Sequence, residues 1–178
     1  MSVSSKKRTR QRLLIVFIDL TLFKRQSDRL DDAELADTLD EYYARVASAV
    51  TSAGGSVVKF IGDAALSVFP EDRVDAGVRM LLELKPALDG FMAEHDWQCR
   101  LNAKAHFGEV IAGPFGPDGD ERFDVIGRTV NTAAMLKSDG ITLSAEALQK
   151  VSADLRKRFA KQPTSTSYAL VDDAPSAR

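Results

Sequence analysis

The sequence predicts an α+β sandwich, with helices on one face of a largely antiparallel sheet. Three observations predict it. A short continuous apolar run, LLIVFID at residues 13–19, reads as a strand buried on both faces. Two pairs of β-prone runs follow it, each joined by turn-forming residues. Two long stretches repeat apolar residues at helical spacing and fall between these strands.

Taken in order, the first strand ends in Asp19, an acid that must emerge at an edge or be paired. Asp31 and Asp32 can cap the next helix, where Leu35, Leu39, Tyr42, Tyr43, Val46 and Val50 recur until Gly54 and Gly55 stop it. Residues 56–60 and 64–69 form a hairpin around Ile61, Gly62 and Asp63, with an acid at its tip. Val74, Val78, Leu81, Leu82, Leu84, Leu88 and Met92 mark a second helix over 73–95, with a kink or break expected at Pro86. Residues 101–107 and 109–112 read as a second strand pair, and 113–121 (GPFGPDGDE) as a loop. A helix over 129–137, a short strand at 141–144, a helix over 145–158 and a last strand at 168–171 complete the reading.

At 178 residues the chain is long enough for one domain with a real core. Its net charge of -2 argues against a nucleic-acid binder held by bulk electrostatics. The single cysteine, Cys99, cannot form an internal disulfide, which fits a reducing cytoplasm. The longest apolar run is too short to span a bilayer, and no small-residue cleavage site follows it, so no stable membrane insertion is expected. The expected layout is a solvated basic arm over 1–12, a catalytic domain over 13–172 and a short tail over 173–178.

Two carboxylates presented from strand ends, Asp19 and Asp63, can hold hard cations against substrate phosphates. Four segments surround them in fixed order: FIDLTLF at 17–23, KFIGDAALSVF at 59–69, HFGEVIAG at 106–113 and FDVIGRTVNTAAML at 123–136. Together they resemble the catalytic domain of class III nucleotidyl cyclases, from about Leu13 to Leu148. The resemblance implies a ferredoxin-like, palm-like fold. It also implies a head-to-tail homodimer with active sites at the subunit interface, and a nucleoside triphosphate cyclised with release of pyrophosphate. Asp19 and Asp63 match the aspartates that bind two divalent cations, Mn²⁺ or Mg²⁺. Lys59 and Asp124 match the base-reading pair, and Asn131 the asparagine that orients the ribose. Backbone amides near Leu20, Thr21, Leu22 and Phe23 would meet the triphosphate. In that family Asp19 and Asp63 would act opposite a partner's copies of Lys59, Asp124 and Asn131.

The chain departs from the family pattern at the phosphates. Met135 stands where the family carries an arginine, a loss that typically costs about 10²–10³ in rate. Arg128, Lys157, Arg158 and Lys161 are the candidates to replace it. Leu22 and Lys24 stand where the family favours Gly and Thr; Leu22 is expected to keep ordinary backbone angles, and Lys24 could itself meet phosphate. A lysine donor beside a carboxylate acceptor fits adenine, cytosine or uracil and disfavours guanine, leaving pocket width to separate the three. The bare catalytic domain and its departures are similar to the stand-alone pyrimidine cyclases of bacterial anti-phage (Pycsar) systems. That likeness implies a uridylate cyclase making cyclic UMP as a second messenger in antiviral defence. An adenylate cyclase comes next, and a pseudo-cyclase acting as a nucleotide-binding or dimerisation module is the alternative from another class. No GGDEF-like string supports a diguanylate cyclase. His106 reads as strand packing, Cys99 as a buried hydrophobe, and Trp97, Tyr42 and Tyr43 as core or dimer contacts.

Overall fold

The structure, a computed structural model, describes residues 7–163 and 165–171. The expected tail at 173–178 and the first half of the basic arm lie outside the described residues.

The apolar run becomes the central strand β1 (Thr9–Leu20), whose even-numbered Leu14, Val16 and Ile18 and odd-numbered Leu13 and Ile15 are all buried. The short helix α1 (Phe23–Ser27) follows, then α2 (Asp32–Ser52), capped by Asp31, whose side chain accepts from the Ala33 amide at 2.9 Å. Next come β2 (Ser56–Ile61), β3 (Ala64–Pro70), α3 (Val74–Glu94) and β4 (Leu101–Phe115). These strands lie side by side in the order β2-β3-β1-β4, every pair antiparallel. That is the β-α-β-β-α-β ferredoxin-like arrangement. The sheet continues through β6 (Ile141–Leu143), β8 (Tyr168–Leu170) and β7 (Phe159–Lys161), with β5 (Arg122–Ile126) paired to the far end of β4. Among the described residues only the β4–β6 pair is parallel.

One face of the sheet carries the larger core. There Leu14, Val16, Ile18 and Phe69 pack with Tyr42, Val46 and Val50 of α2 and Val78, Leu81, Leu88 and Met92 of α3. The other face is smaller, and a third helix covers it, contrary to the expectation of helices on one face. Leu13, Ile15, Leu66 and Val110 pack there against Ala133 and Val130 of α4 (Arg128–Met135). Gly108 allows that close approach: a Cβ there would meet Thr129 Oγ1 at 2.7 Å. Thr129 Oγ1 also donates to the Glu109 carbonyl at 2.6 Å, fixing α4 on β4.

Several elements differ from their sequence reading. β1 begins at Thr9, so part of the basic arm is strand rather than solvated tail: β4 is long enough to pair Thr9 with Ala112, and Arg10 meets Glu109 at 2.5 Å. β4 is one strand of 15 residues rather than a pair. α3 runs unbroken through Pro86, because its buried apolar face outweighs one lost backbone hydrogen bond. The expected helix over 145–158 is two, α5 (Ala145–Leu148) and α6 (Ala153–Arg156). Arg156 stabilises the break, donating to the Leu148 and Gln149 carbonyls at the end of α5 and to the Val151 carbonyl in the connection.

Candidate active site

β1 and β4 bring Asp19 opposite Asn102. Asn102 Nδ2 donates to Asp19 Oδ1 at 2.7 Å, while Asn102 Oδ1 accepts from the Gly140 amide at 3.3 Å. The amide is thereby held between two partners and orients the carboxylate. Lys104, the next residue on that face of β4, places Nζ 3.6 Å from Asp19 Oδ2.

Asp63 sits beyond the β2–β3 turn, where Gly62 adopts a left-handed φ of 58°. Its Oδ2 accepts from the Leu20 amide at 3.1 Å, which ties the hairpin tip to the end of β1. Two tyrosines of α2 fix the backbone of the same turn. Tyr42 OH donates to the Asp63 carbonyl at 2.9 Å, and Tyr43 OH donates to the Gly62 carbonyl. The Tyr43 ring stacks on Phe60 with centroids 4.1 Å apart. Burial raises the Asp63 carboxyl above its usual range; the Leu20 amide opposes that, and the charge of Asp19 adds to it. Burial and the same two carboxylates drive the Tyr42 phenol up, so it stays a donor.

Two half-buried carboxylates that repel one another suit a divalent cation. Among the described residues no group of three or more His, Cys, Asp or Glu side chains converges. Asp19 and Asp63 would therefore supply one or two ligands each, with phosphate oxygens completing the shell, as is usual for Mg²⁺ at nucleotide sites. Beside Asp63 a cleft of about 720 Å³ is lined by Leu20, Leu22, Phe23, Lys24, Arg25, Asp28 and Arg29. Lys24 is countered there by Asp28, which leaves Arg25 and Arg29 as the cations open to a polyanion.

The base-reading candidates lie elsewhere. Lys59 on β2 and Asp124 on β5 form an ion pair at 2.6 Å. They line a second cleft of about 550 Å³ with Phe60, Phe115 and Phe123, and this cleft shares no lining residue with the first. Asn131 and Arg128 stand exposed on α4. Thr21 faces a third, 200 Å³ pocket, tied to Arg100 through its amide at 2.9 Å and its hydroxyl at 3.0 Å.

The adenylate and guanylate cyclase catalytic domain family matches this chain over residues 5–169. The chain belongs to that family. Adenylate cyclase 2 of Rhizobium meliloti is 31% identical over 161 residues, 86% of this chain and 44% of that protein. An adenylate cyclase of Anabaena cylindrica is 28% identical over 74% of this chain and 28% of its own length. The cyclase domain thus spans less than half the length of these curated relatives. Among solved structures, the adenylyl cyclase CyaB from P. aeruginosa matches with a TM-score of 0.79 at 21% identity, covering 94% of this chain and 97% of that one. The catalytic core of a rhodopsin-guanylyl cyclase with converted specificity, in complex with ATPalphaS, matches with a TM-score of 0.77 at 25% identity, covering 92% and 90%.

Within this cyclase domain, the departures at the phosphate loop take physical form. Leu22 adopts φ 58° rather than the expected ordinary angles, a left-handed conformation that a glycine accepts without strain. The amide of Leu20 is committed to Asp63 and that of Thr21 to the Arg100 carbonyl, so neither is open to phosphate as expected. Lys24 pairs with Asp28 at 3.1 Å. Met135 is 82% exposed on α4. Asn102, Lys104 and the tyrosine clamp were not singled out by the sequence. The one available signal was the alternation Asn102, Lys104, His106, which puts three polar side chains on the Asp19 face of a strand. Among the described residues no helix is long and apolar enough to cross a membrane.

Proposed function

We propose that this domain is a homodimeric nucleotide cyclase that converts a nucleoside triphosphate to a 3′,5′-cyclic nucleotide and pyrophosphate. The observation that carries the reading is the convergence of Asp19 and Asp63, one held by Asn102 and the other by the Leu20 amide and the tyrosine clamp. When bound, two divalent cations supply a lowered 3′-hydroxyl pKa and charge neutralisation at the triphosphate. The chain's own residues hold the reactants in line. Asp19 and Asp63 fix where the cations sit. Arg25 and Arg29 draw the triphosphate into the cleft, with Lys24 and the amides of Leu22 and Phe23 beside it. Lys59 and Asp124 read the base, and Asn131 orients the ribose, with Arg128 one turn before it.

The separation of the two clefts supports a site completed by a partner's Lys59, Asp124 and Asn131. So does the exposure of Ile61, Phe123, Ile126 and Met135. For the base, the favoured reading is uracil, giving cyclic UMP as a messenger in antiviral defence. It is supported by the departures at Leu22, Lys24 and Met135; the polarity of Lys59 with Asp124 fits uracil as it fits adenine, and disfavours guanine. A second reading, adenine, is favoured by the adenylate cyclases among the relatives. The decisive experiment incubates the protein with Mn²⁺ and each of ATP, GTP, CTP and UTP and identifies products by mass spectrometry. A cyclic product is expected, and the preferred triphosphate chooses between the two readings. Triphosphate binding without any cyclic product would establish a pseudo-cyclase instead.

A further inference from the structure

The metal half contains a cation that the reading above does not use. Lys104 lies opposite Phe17 in the β1–β4 register, on the same face as Asp19. Its side chain is only 20% exposed, and Asp19 is its one ion-pair partner among the described residues. The cations that line the first cleft have different surroundings: Lys24 is held by Asp28, and Arg25 and Arg29 are exposed.

An ammonium this covered needs a counter-charge, because a buried charge left unpaired is strongly destabilising. A divalent cation arriving at Asp19 takes that counter-charge away and repels the ammonium. Lys104 must then find another anion within reach of its flexible four-carbon stem. In a nucleotide reaction, the anion that arrives with the cation is the triphosphate. Building on the cyclase reading, we propose that Lys104 is a substrate-binding residue that exchanges Asp19 for a phosphate oxygen of the triphosphate as the divalent cation enters. No bond is made or broken in this exchange; two ion pairs trade partners.

Two consequences follow from the geometry. In the free protein Lys104 competes with metal for Asp19, so Mn²⁺ alone binds weakly. Metal and triphosphate then bind cooperatively, since each supplies the charge the other leaves uncompensated. The exchange also supplies, from β4, a positive charge that Met135 cannot supply from α4.

The test is calorimetric titration of Mn²⁺, with and without a 3′-deoxynucleoside triphosphate of the preferred base, which cannot cyclise. Lys104→Met should bind Mn²⁺ alone about tenfold more tightly and the triphosphate about tenfold more weakly. Lys104→Arg keeps the charge and should stay close to the parent in both. Lys104→Gln repeats the neutral substitution should Lys104→Met lose its fold. A purely structural role weakens both affinities or moves neither, and either result in the neutral variant overturns the proposal. Absence of Mn²⁺-dependent triphosphate binding by the parent protein would overturn the cyclase reading itself. Intact parental binding with no opposite shift in the variant overturns only the role of Lys104.

Discussion

The two halves of the candidate site are built differently. The metal half is braced from every side: Asn102 orients Asp19, the Leu20 amide holds Asp63, and Tyr42 and Tyr43 hold the turn that carries it. The base half is a solvent-facing ion pair, exposed Lys59 with half-buried Asp124, braced only by the Val125 amide on Asp124, with Asn131 exposed on α4. A braced site is ready to bind at little ordering cost. An exposed, self-paired one must be opened and desolvated, and a partner surface can supply that desolvation. The contrast teaches that one chain presents a braced candidate metal site and an open candidate base site.

Substitutions in the two halves should therefore fail differently. Asp63→Ala removes half of the metal-binding charge and should lower cyclisation of every triphosphate by about 10³-fold or more. Asp124→Ala should lower kcat/KM by about 10–10² for the preferred base, with a smaller loss for the others, because only a base contact is gone. Equal losses across all bases in both variants would erase the distinction. Kinetics with all four triphosphates make the comparison.

A finer test concerns the tyrosine clamp. Tyr43→Phe keeps the stack on Phe60 and removes one neutral hydrogen bond to the turn. The Mn²⁺ concentration for half-maximal rate should rise about two- to tenfold, with the nucleotide KM nearly unchanged. An effect on KM alone would mean that the clamp does not act through Asp63.

Smaller effects are expected in stability. Leu22→Gly relieves a left-handed residue worth about 1–2 kcal/mol, against roughly 0.5–1 kcal/mol of added chain entropy. Denaturant unfolding should show a net gain of about 0.5 kcal/mol, whereas a loss would place the strain elsewhere. His106, whose Nδ1 lies 2.8 Å from Ser144 Oγ, is held below its usual pKa by burial, with Glu146 opposing. The unfolded chain therefore takes up this proton first as pH falls. The stability it contributes is present above about pH 6.5 and is lost as pH drops through its lowered folded value. His106→Gln should flatten the fall of Tm with pH in that window.

The order of elements along the chain was legible because period and turn chemistry carry it: the buried run of β1, the Gly62 turn and the two helical repeats all appear in the fold. The pairing of Asp19 with Asp63 was expected from their flanking text, and the fold brings the two acids together at the end of β1. What was hidden depends on contacts between distant residues. Asn102 and Lys104 become site residues only through the β1–β4 register, and nothing local in the sequence sets that register. The Tyr42 and Tyr43 hydroxyls reach the Asp63 turn across 19 to 21 residues. Leu22 shows the opposite failure: a local rule assigns it ordinary angles, and the turn from β1 into α1 sets φ at 58° instead.

The open base half carries the central claim, that a working site needs two chains. The direct measurement mixes Asp63→Ala with Asn131→Ala protein under conditions where subunits exchange. Each variant alone should be inactive. The mixture should regain about a quarter of the parent's specific activity, since half the dimers are mixed and each holds one intact site of two. Activity in either variant alone, or no recovery despite demonstrated exchange, would contradict the shared site.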